Sequence, residues 1–400
     1  MNVVKNILKG SASLLLASAL LVACNKVYEP ISGPTPPVVD PANTLGKKIA
    51  ANPNYSILNA ALIRTGLNTV LDEPNANFTL FAPSNAAFAA SGISLAVVNA
   101  LPVAQLTSIL QHHVIPNERI PAAGIPTAFP NVQKGSGLNL TTTTLVPGLA
   151  TSAIPIKITV YPSRRSTGAW VNNVPIIAPD SIVASNGVGH GVAVVVAPPA
   201  PQTFLQAFTA DTTLTYLLKA VERADSGQAA NSTTSFRYAL SQPLASLTVF
   251  APTNQAFRDL LTNAIAQVLI GTGLPAFIAF PIAAQLASSP DVFTNPAVTP
   301  VLTPTFVRGI LAYHVLGQRA FAPNFPATAA DFPTFLNGVI ANHPGLSINA
   351  SFTGPFATGL SIKGIGNASA ATAAPTSTGA VDRAVLNGVY YKIDQVLLPQ

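Results

Sequence analysis

The sequence predicts an α+β fold in which one unit of short strands and small helices is used twice. Three observations predict it. The segment TLFAPSNAAF at 79–88 returns as TVFAPTNQAF at 248–257, ILQHHVI at 109–115 returns as ILAYHVL at 310–316, and NGVGHGVAVVVAPP at 186–199 returns as NGVYYKIDQVLLPQ at 387–400. His113 and His190 lie 77 positions apart, and so do His314 and Tyr391. The first motif recurs after 169 positions and the later two after 201, so the second copy carries about 32 further residues between its first two motifs. Self-similarity at matched spacing is the mark of a duplicated structural unit.

Composition narrows the function classes. Hydrophobic residues make up 49% of the chain, enough for a core, which excludes global disorder. Charged residues are only 8%, against about 25% in an average globular protein. The net charge of +6 arises from 20 Lys and Arg against 14 Asp and Glu, too sparse for a basic face, so no nucleic-acid partner is expected. A single cysteine excludes a disulfide framework and a thiolate zinc site.

The elements follow in chain order. Lys5 and Lys9 precede an uncharged stretch from Ser11 to Ala23, shorter than the roughly 20 apolar residues of a membrane span. Cys24 follows Leu21-Val22-Ala23 directly. This reads as a lipoprotein signal peptide over 1–23 with Cys24 as the lipidation site; the plainer alternative is a secretory signal with a coincidental cysteine. Asn25, where Asp would resemble an inner-membrane retention signal, favours the outer membrane, facing periplasm or cell surface. Residues 24–44 read as a Pro-rich tether.

In each copy Thr-[Leu/Val]-Phe has strand character, and Pro83 or Pro252 ends the ladder. Ser84 or Asn85, and Thr253 or Asn254, can cap the helix that follows. Leu106 with Ile109 and Leu110, and Val307 with Ile310 and Leu311, have helical spacing that buries one face. Asn186-Gly187 and Asn387-Gly388 are expected to give the positive-φ positions of a tight turn. Alternating Val188, His190, Val192 and Val389, Tyr391, Ile393 read as closing strands. Residues 260–290 contain no charge, but Pro275 and Pro281 argue for two short helices rather than a membrane span. Those helices are expected to cover the core of their own domain, with an exposed apolar patch as the alternative.

The order T-[LV]-F-A-P-[ST]-N-x-A-F, then [YH]-H-V, then N-G-V-x-[HY] resembles the fasciclin domain, twice, over nearly all of the chain after the signal segment. The resemblance implies two tandem fasciclin-like domains, each a mixed β-sheet wedge with small helices. Their expected bounds are 45–199 and 200–400, divided at Pro198-Pro199-Ala200-Pro201, with an insertion around 260–305 in the second. It also implies extracellular or envelope-anchored proteins of adhesion and matrix association, with no catalysis in most members. His112 departs from the Tyr that the family pattern has before the motif His. Tyr391 stands in place of a His in the last strand, and Ala193 in place of an acid.

Candidate chemistry is thin. No nucleophile elbow, phosphate loop or H-E-x-x-H helix occurs. His112 and His113, if on a strand, point to opposite faces and cannot share a metal, so neither metal nor cofactor is expected. His113 and His314 read as buried structural rings. The sharper alternative places Tyr313, His314, His112 and His113 at a partner-binding surface, with His314 facing inward and Tyr313 the more exposed of its pair. Arg164 and Arg165 sit near Trp170 in an expected solvated loop, where a guanidinium could stack on the indole. The chain reads as a non-enzymatic, envelope-anchored adhesion or matrix-interaction lipoprotein. Its partners would be the membrane, through the lipid anchor, and matrix polymers, glycans or surface proteins. The alternative is an accessory glycan- or nutrient-binding lipoprotein beside an outer-membrane transporter.

Overall fold

Strand order repeats as the motifs do. The N-terminal half supplies β1 (Phe78–Pro83), β2 (Val114–Pro116), β3 (Lys134–Leu140), β4 (Ile156–Val160), β5 (Pro162–Arg165), β6 (Gly168–Val171), β7 (Val174–Ala184) and β8 (Gly187–Val192). The C-terminal half supplies β9 (Leu247–Pro252), β10 (Val315–Leu316), β11 (Ala330–Phe332), β12 (Leu346–Thr353), β13 (Phe356–Lys363), β14 (Ala371–Thr372), β15 (Arg383–Val385) and β16 (Gly388–Ile393). One sheet runs β2-β1-β8-β7-β6-β5 and its counterpart runs β10-β9-β16-β15. In both, the motif strand lies parallel to the last strand in the same register: Thr79 opposite Val188 and Phe81 opposite His190, then Thr248 opposite Val389 and Phe250 opposite Tyr391. The halves differ in their second sheets, β3-β4 in one and β11-β12-β13-β14 in the other.

The chain is seen here in a computed structural model that describes residues 39–140, 156–229 and 232–400. The signal segment, Cys24 and all but the last six residues of the expected tether lie outside the described residues. Residues 40–400 form one compact unit.

Local chemistry explains the shared frame. Every residue of β1 and of β9 is buried, which is why these strands read as continuous apolar runs rather than alternating ones. Ser84 and Thr253 take the capping role, their hydroxyls accepting the N–H of Ala87 and Ala256. Asn85 and Asn254 instead reach sideways. Asn85 accepts the Ile57 N–H at 3.0 Å and donates to Pro53 O at 2.9 Å. Asn254 does the same with Tyr216 N–H at 3.1 Å and Thr212 O at 2.9 Å.

The Asn-Gly pairs are not positive-φ turns. Neither Gly187 nor Gly388 is among the residues with positive φ. Each asparagine is a buried clip: Asn186 accepts Leu45 N–H at 2.9 Å and donates to Leu71 O at 2.9 Å, while Asn387 accepts Phe204 N–H at 2.9 Å and donates to Leu240 O at 3.0 Å. The glycines serve close approach. A Cβ on Gly187 would strike the Phe78 carbonyl, and one on Gly388 would strike the Leu247 carbonyl and the Phe204 ring.

Each half has apolar clusters of its own, and two clusters join them. One groups Tyr161 with Phe321, Phe325 and their neighbours; the other groups Leu138, Ile156 and Ile158 with Leu386. Aromatic rings seal the contact, with Phe129 stacked on Phe332 at 4.8 Å and Trp170 tilted against Phe352 at 6.1 Å.

The charge-free segment lies within two helices, Asn254–Gly271 and Ala276–Leu286, which pack on each other. The first helix covers the core of its own domain as expected, with Phe257 and Leu261 buried in it and Leu260 and Ile265 packed against it; the second leaves the expected pattern. On the second helix the buried residues are Ala279 and Ala283, while Phe277 is 79% exposed and Ile278, Phe280 and Ile282 are also exposed.

Candidate functional site

Helix Val103–His112 and helix Pro304–Tyr313 each end where the strand that pairs with the motif strand begins. The motif histidine stands at that junction in both copies. His113 Nδ1 lies 2.8 Å from Ile109 O, and Nε2 accepts the Val196 N–H at 2.9 Å. His314 repeats this with Ile310 O at 2.8 Å and Leu397 N–H at 2.9 Å. A carbonyl only accepts and an amide N–H only donates, so each ring is the neutral Nδ1–H tautomer. Burial holds both pKa values down to about 4, against the opposing pull of the carbonyl bond. Each ring pins a helix end to the segment that follows the last strand. The threonines of the motif strands act alike: Thr79 donates to Glu118 O and accepts Ile120 N–H, Thr248 donates to Gln318 O and accepts Ala320 N–H.

The residues before these histidines are buried too. His112 is the last residue of its helix, not a strand residue, and is fully buried. Its Nε2 is 3.4 Å from Asn172 Nδ2, and its Nδ1 has no partner among the described residues. Burial, with His113 and Arg319 nearby, lowers its pKa to about 3. Tyr313 is also fully buried, donating to Gly345 O at 2.6 Å and accepting Ile365 N–H at 3.2 Å. The expected exposure of Tyr313 is therefore corrected. Consecutive residues at a helix end diverge, but this end is covered on both sides, by the strands of the second sheet for Tyr313 and by the closing segment for His314.

The last-strand position holds different side chains on one plan. His190 Nε2 meets Ile120 O at 2.8 Å and Nδ1 accepts Asp180 N–H at 3.1 Å. Tyr391 donates within reach of both Ala320 O at 2.9 Å and Asp382 Oδ1 at 2.7 Å. Asp180 and Asp382 in turn accept Ala122 N–H and Ala322 N–H. Burial raises the Asp382 pKa, against the pull of hydrogen bonds from Ala322 N–H, Tyr391 and Asn173.

Where the halves meet, polar groups are buried. Asn131 donates to Arg319 O at 3.1 Å and to Asn324 Oδ1 at 2.8 Å, and Asn324 donates to Ser163 at 2.9 Å. The Arg319 guanidinium lies 5.1 Å from the centre of the Tyr161 ring, with Nη2 on Leu386 O and Nε without a partner among the described residues. A small cleft of about 60 Å³ opens beside it, lined by Lys157, Tyr161, Leu244 and Ser246 among others. Trp170 is buried with its N–H on Pro355 O at 2.9 Å, and Arg165, in a strand rather than a loop, sits over Phe129 at 5.9 Å instead.

Among the described residues, no three His, Cys, Asp or Glu side chains are placed to share a metal. Sequence reasoning found the repeated histidines. It missed the Asp180/Asp382 partners, whose only signal is that they precede His190 and Tyr391 by similar intervals.

Residues 53–198 match the fasciclin domain family. Protein sll1483 of Synechocystis sp. (strain ATCC 27184 / PCC 6803 / Kazusa) is 33% identical over 162 residues, 40% of this chain and 76% of that protein. The solved FAS1 domain pair from the insect cell adhesion molecule fasciclin I aligns over 88% of this chain and 95% of its own, at 16% identity and a TM-score of 0.33. The matched first half and the same parallel frame rebuilt by β9 and β16 make this chain a member of the fasciclin family, with two fasciclin-like domains in tandem.

Proposed function

We propose that this chain is a non-enzymatic, envelope-anchored lipoprotein of adhesion or matrix interaction. The observation that supports it is where the motif side chains go. His113, His314, Thr79, Thr248, Asn186 and Asn387 all spend their polar atoms on the chain's own backbone. An enzyme needs titratable groups converging on a space that a substrate can enter, and these converge on main chain. Fasciclin domains are associated with cell adhesion, and two copies on one chain raise avidity without new contacts. The burial of Trp170 takes the one indole away from any sugar-stacking role, so the accessory glycan-binding reading gains nothing from it.

Anchoring is tested at Cys24, the only cysteine. Mass spectrometry of the mature N-terminus is expected to show acylated Cys24, and the Cys24→Ser protein is expected to leave the membrane fraction after a salt wash. Retention of that variant at wild-type levels would sink the anchor. The adhesive role is tested by surface attachment of cells with and without the chain; equal attachment would overturn it.

A further inference from the structure

We infer that the helical hairpin of the second domain, Asn254–Gly271 with Ala276–Leu286, docks on a lipid bilayer through its exposed apolar face. This does not depend on acylation of Cys24.

Beyond its base, the packing of the hairpin is inverted for a protein in water. The first turns carry Phe257 and Leu261 into the core of the domain, but past them the fully buried positions are small, Ala266 on the first helix and Ala279 and Ala283 on the second. The large apolar side chains Val268, Phe277, Ile278, Phe280 and Ile282 face out. Helices that meet through small residues and turn large apolar ones outward are the arrangement found in hydrocarbon, where burying Phe or Ile inside the protein brings no gain.

Composition separates lipid from a protein partner. Protein interfaces are enriched in Tyr, Trp, Phe, Met and Arg within a polar rim. Of these, residues 260–290 hold only Phe277 and Phe280, and they contain no charged side chain to make a rim. Charges return only at the base of the hairpin, with Arg258 and Asp259 in the first turns of its first helix and Asp291 after its second. The Gly271-Thr272-Gly273 turn and Leu274 form the far end. A wet base and a charge-free far end suit an element that enters the apolar part of an interface.

Length fixes the mode of contact. The second helix has 11 residues, about 16 Å at 1.5 Å per residue, against a hydrocarbon core of about 30 Å. Among the described residues no helix is long and apolar enough to cross a membrane. The hairpin would therefore lie in the interface, as amphipathic surface helices do. It is also an addition to the frame, since the matching helix of the first copy, Asn85–Ala90, stops after 6 residues.

The test uses the full chain carrying Cys24→Ser and vesicles of phosphatidylcholine and phosphatidylglycerol. Phe277→Trp provides a local reporter. Its emission is expected to shift to the blue on vesicle addition and to be quenched by brominated acyl chains. Phe277→Ser combined with Phe280→Ser is expected to weaken vesicle binding at least tenfold with an unchanged thermal midpoint, because both rings are exposed. An unquenched indole, or binding that survives the double substitution, overturns the inference. So does a dimer in lipid-free buffer that already buries the indole, since a second copy would then be the occupant. Failure to find an acyl chain on wild-type Cys24 is a separate result and bears only on the anchor.

Discussion

Between pH 7 and pH 4 the protein is expected to lose most of its stability. His112, His113 and His314 are buried and neutral, with pKa values near 3, 4 and 4 in the folded chain, against about 6.5 when unfolded. From 6.5 downward the unfolded chain takes up protons that the folded chain refuses. Stability is therefore complete above 6.5 and falls as pH drops toward 4, continuing to about 3 for His112. The cost is about 3 kcal/mol for each of His113 and His314 and somewhat more for His112. Their sum is comparable with the whole stability of a typical domain, about 5–15 kcal/mol. Burial lowers the His190 pKa too, which acts in the same sense. Asp382 acts in the opposite sense: its raised pKa lets the folded chain bind a proton earlier than the unfolded one, which favours the fold as pH falls. Urea unfolding at pH 7.5 and pH 5 should show a large drop, with an uptake of about three protons on unfolding at pH 5. His314→Gln should reduce that uptake by about one. Unfolding free energies that agree at the two pH values would overturn the assignment of neutral, buried rings.

The sequence carried what is local and periodic. Ser84 and Thr253 were legible as caps because the chemistry of an N-cap lies within three residues of itself. His113 and His314 were legible as structural because a buried histidine needs a backbone partner for a ring nitrogen. What lay beyond reach was set by contacts distant along the chain. Arg119 and Arg319 occupy equivalent places and reach carbonyls just before the Asn-Gly pair, Arg119 those of Ala184 and Ser185 and Arg319 that of Leu386. Yet Arg119 is exposed, whereas Arg319 is buried beneath Tyr161 of the other half. No repeat signal says how one copy sits on its twin. Tyr313 failed for the same reason, since its cover comes from the second sheet. The second helix of the hairpin failed for another. The segment's uniform hydrophobicity gave two helices, but not which of their faces would turn inward, because a segment apolar all round has no distinguishable side.

Gly388→Ala is expected to cost about 3–5 kcal/mol, the largest effect of any one-methyl change considered for this chain. The added Cβ would meet the Leu247 carbonyl of the parallel neighbour and the buried Phe204 ring at once. Neither can give way. The carbonyl belongs to the β9–β16 ladder, and Phe204 is packed on Phe208 and Tyr390. Relief requires prising β16 from β9, and with it the Asn387 clip to Phe204 N–H. Gly309 gives the opposite result. It lies within helix Pro304–Tyr313, has no positive φ, and a Cβ there meets nothing within 4 Å. Gly309→Ala is expected to stabilise by about 0.5–1 kcal/mol, because alanine gives up less backbone freedom on folding. Denaturant unfolding of both variants beside wild type measures the pair. If Gly388→Ala unfolds within about 1 kcal/mol of wild type, the parallel strands do not approach as closely as the packing at Gly388 requires. A Gly309→Ala protein that is destabilised would place an unseen contact on that helix face.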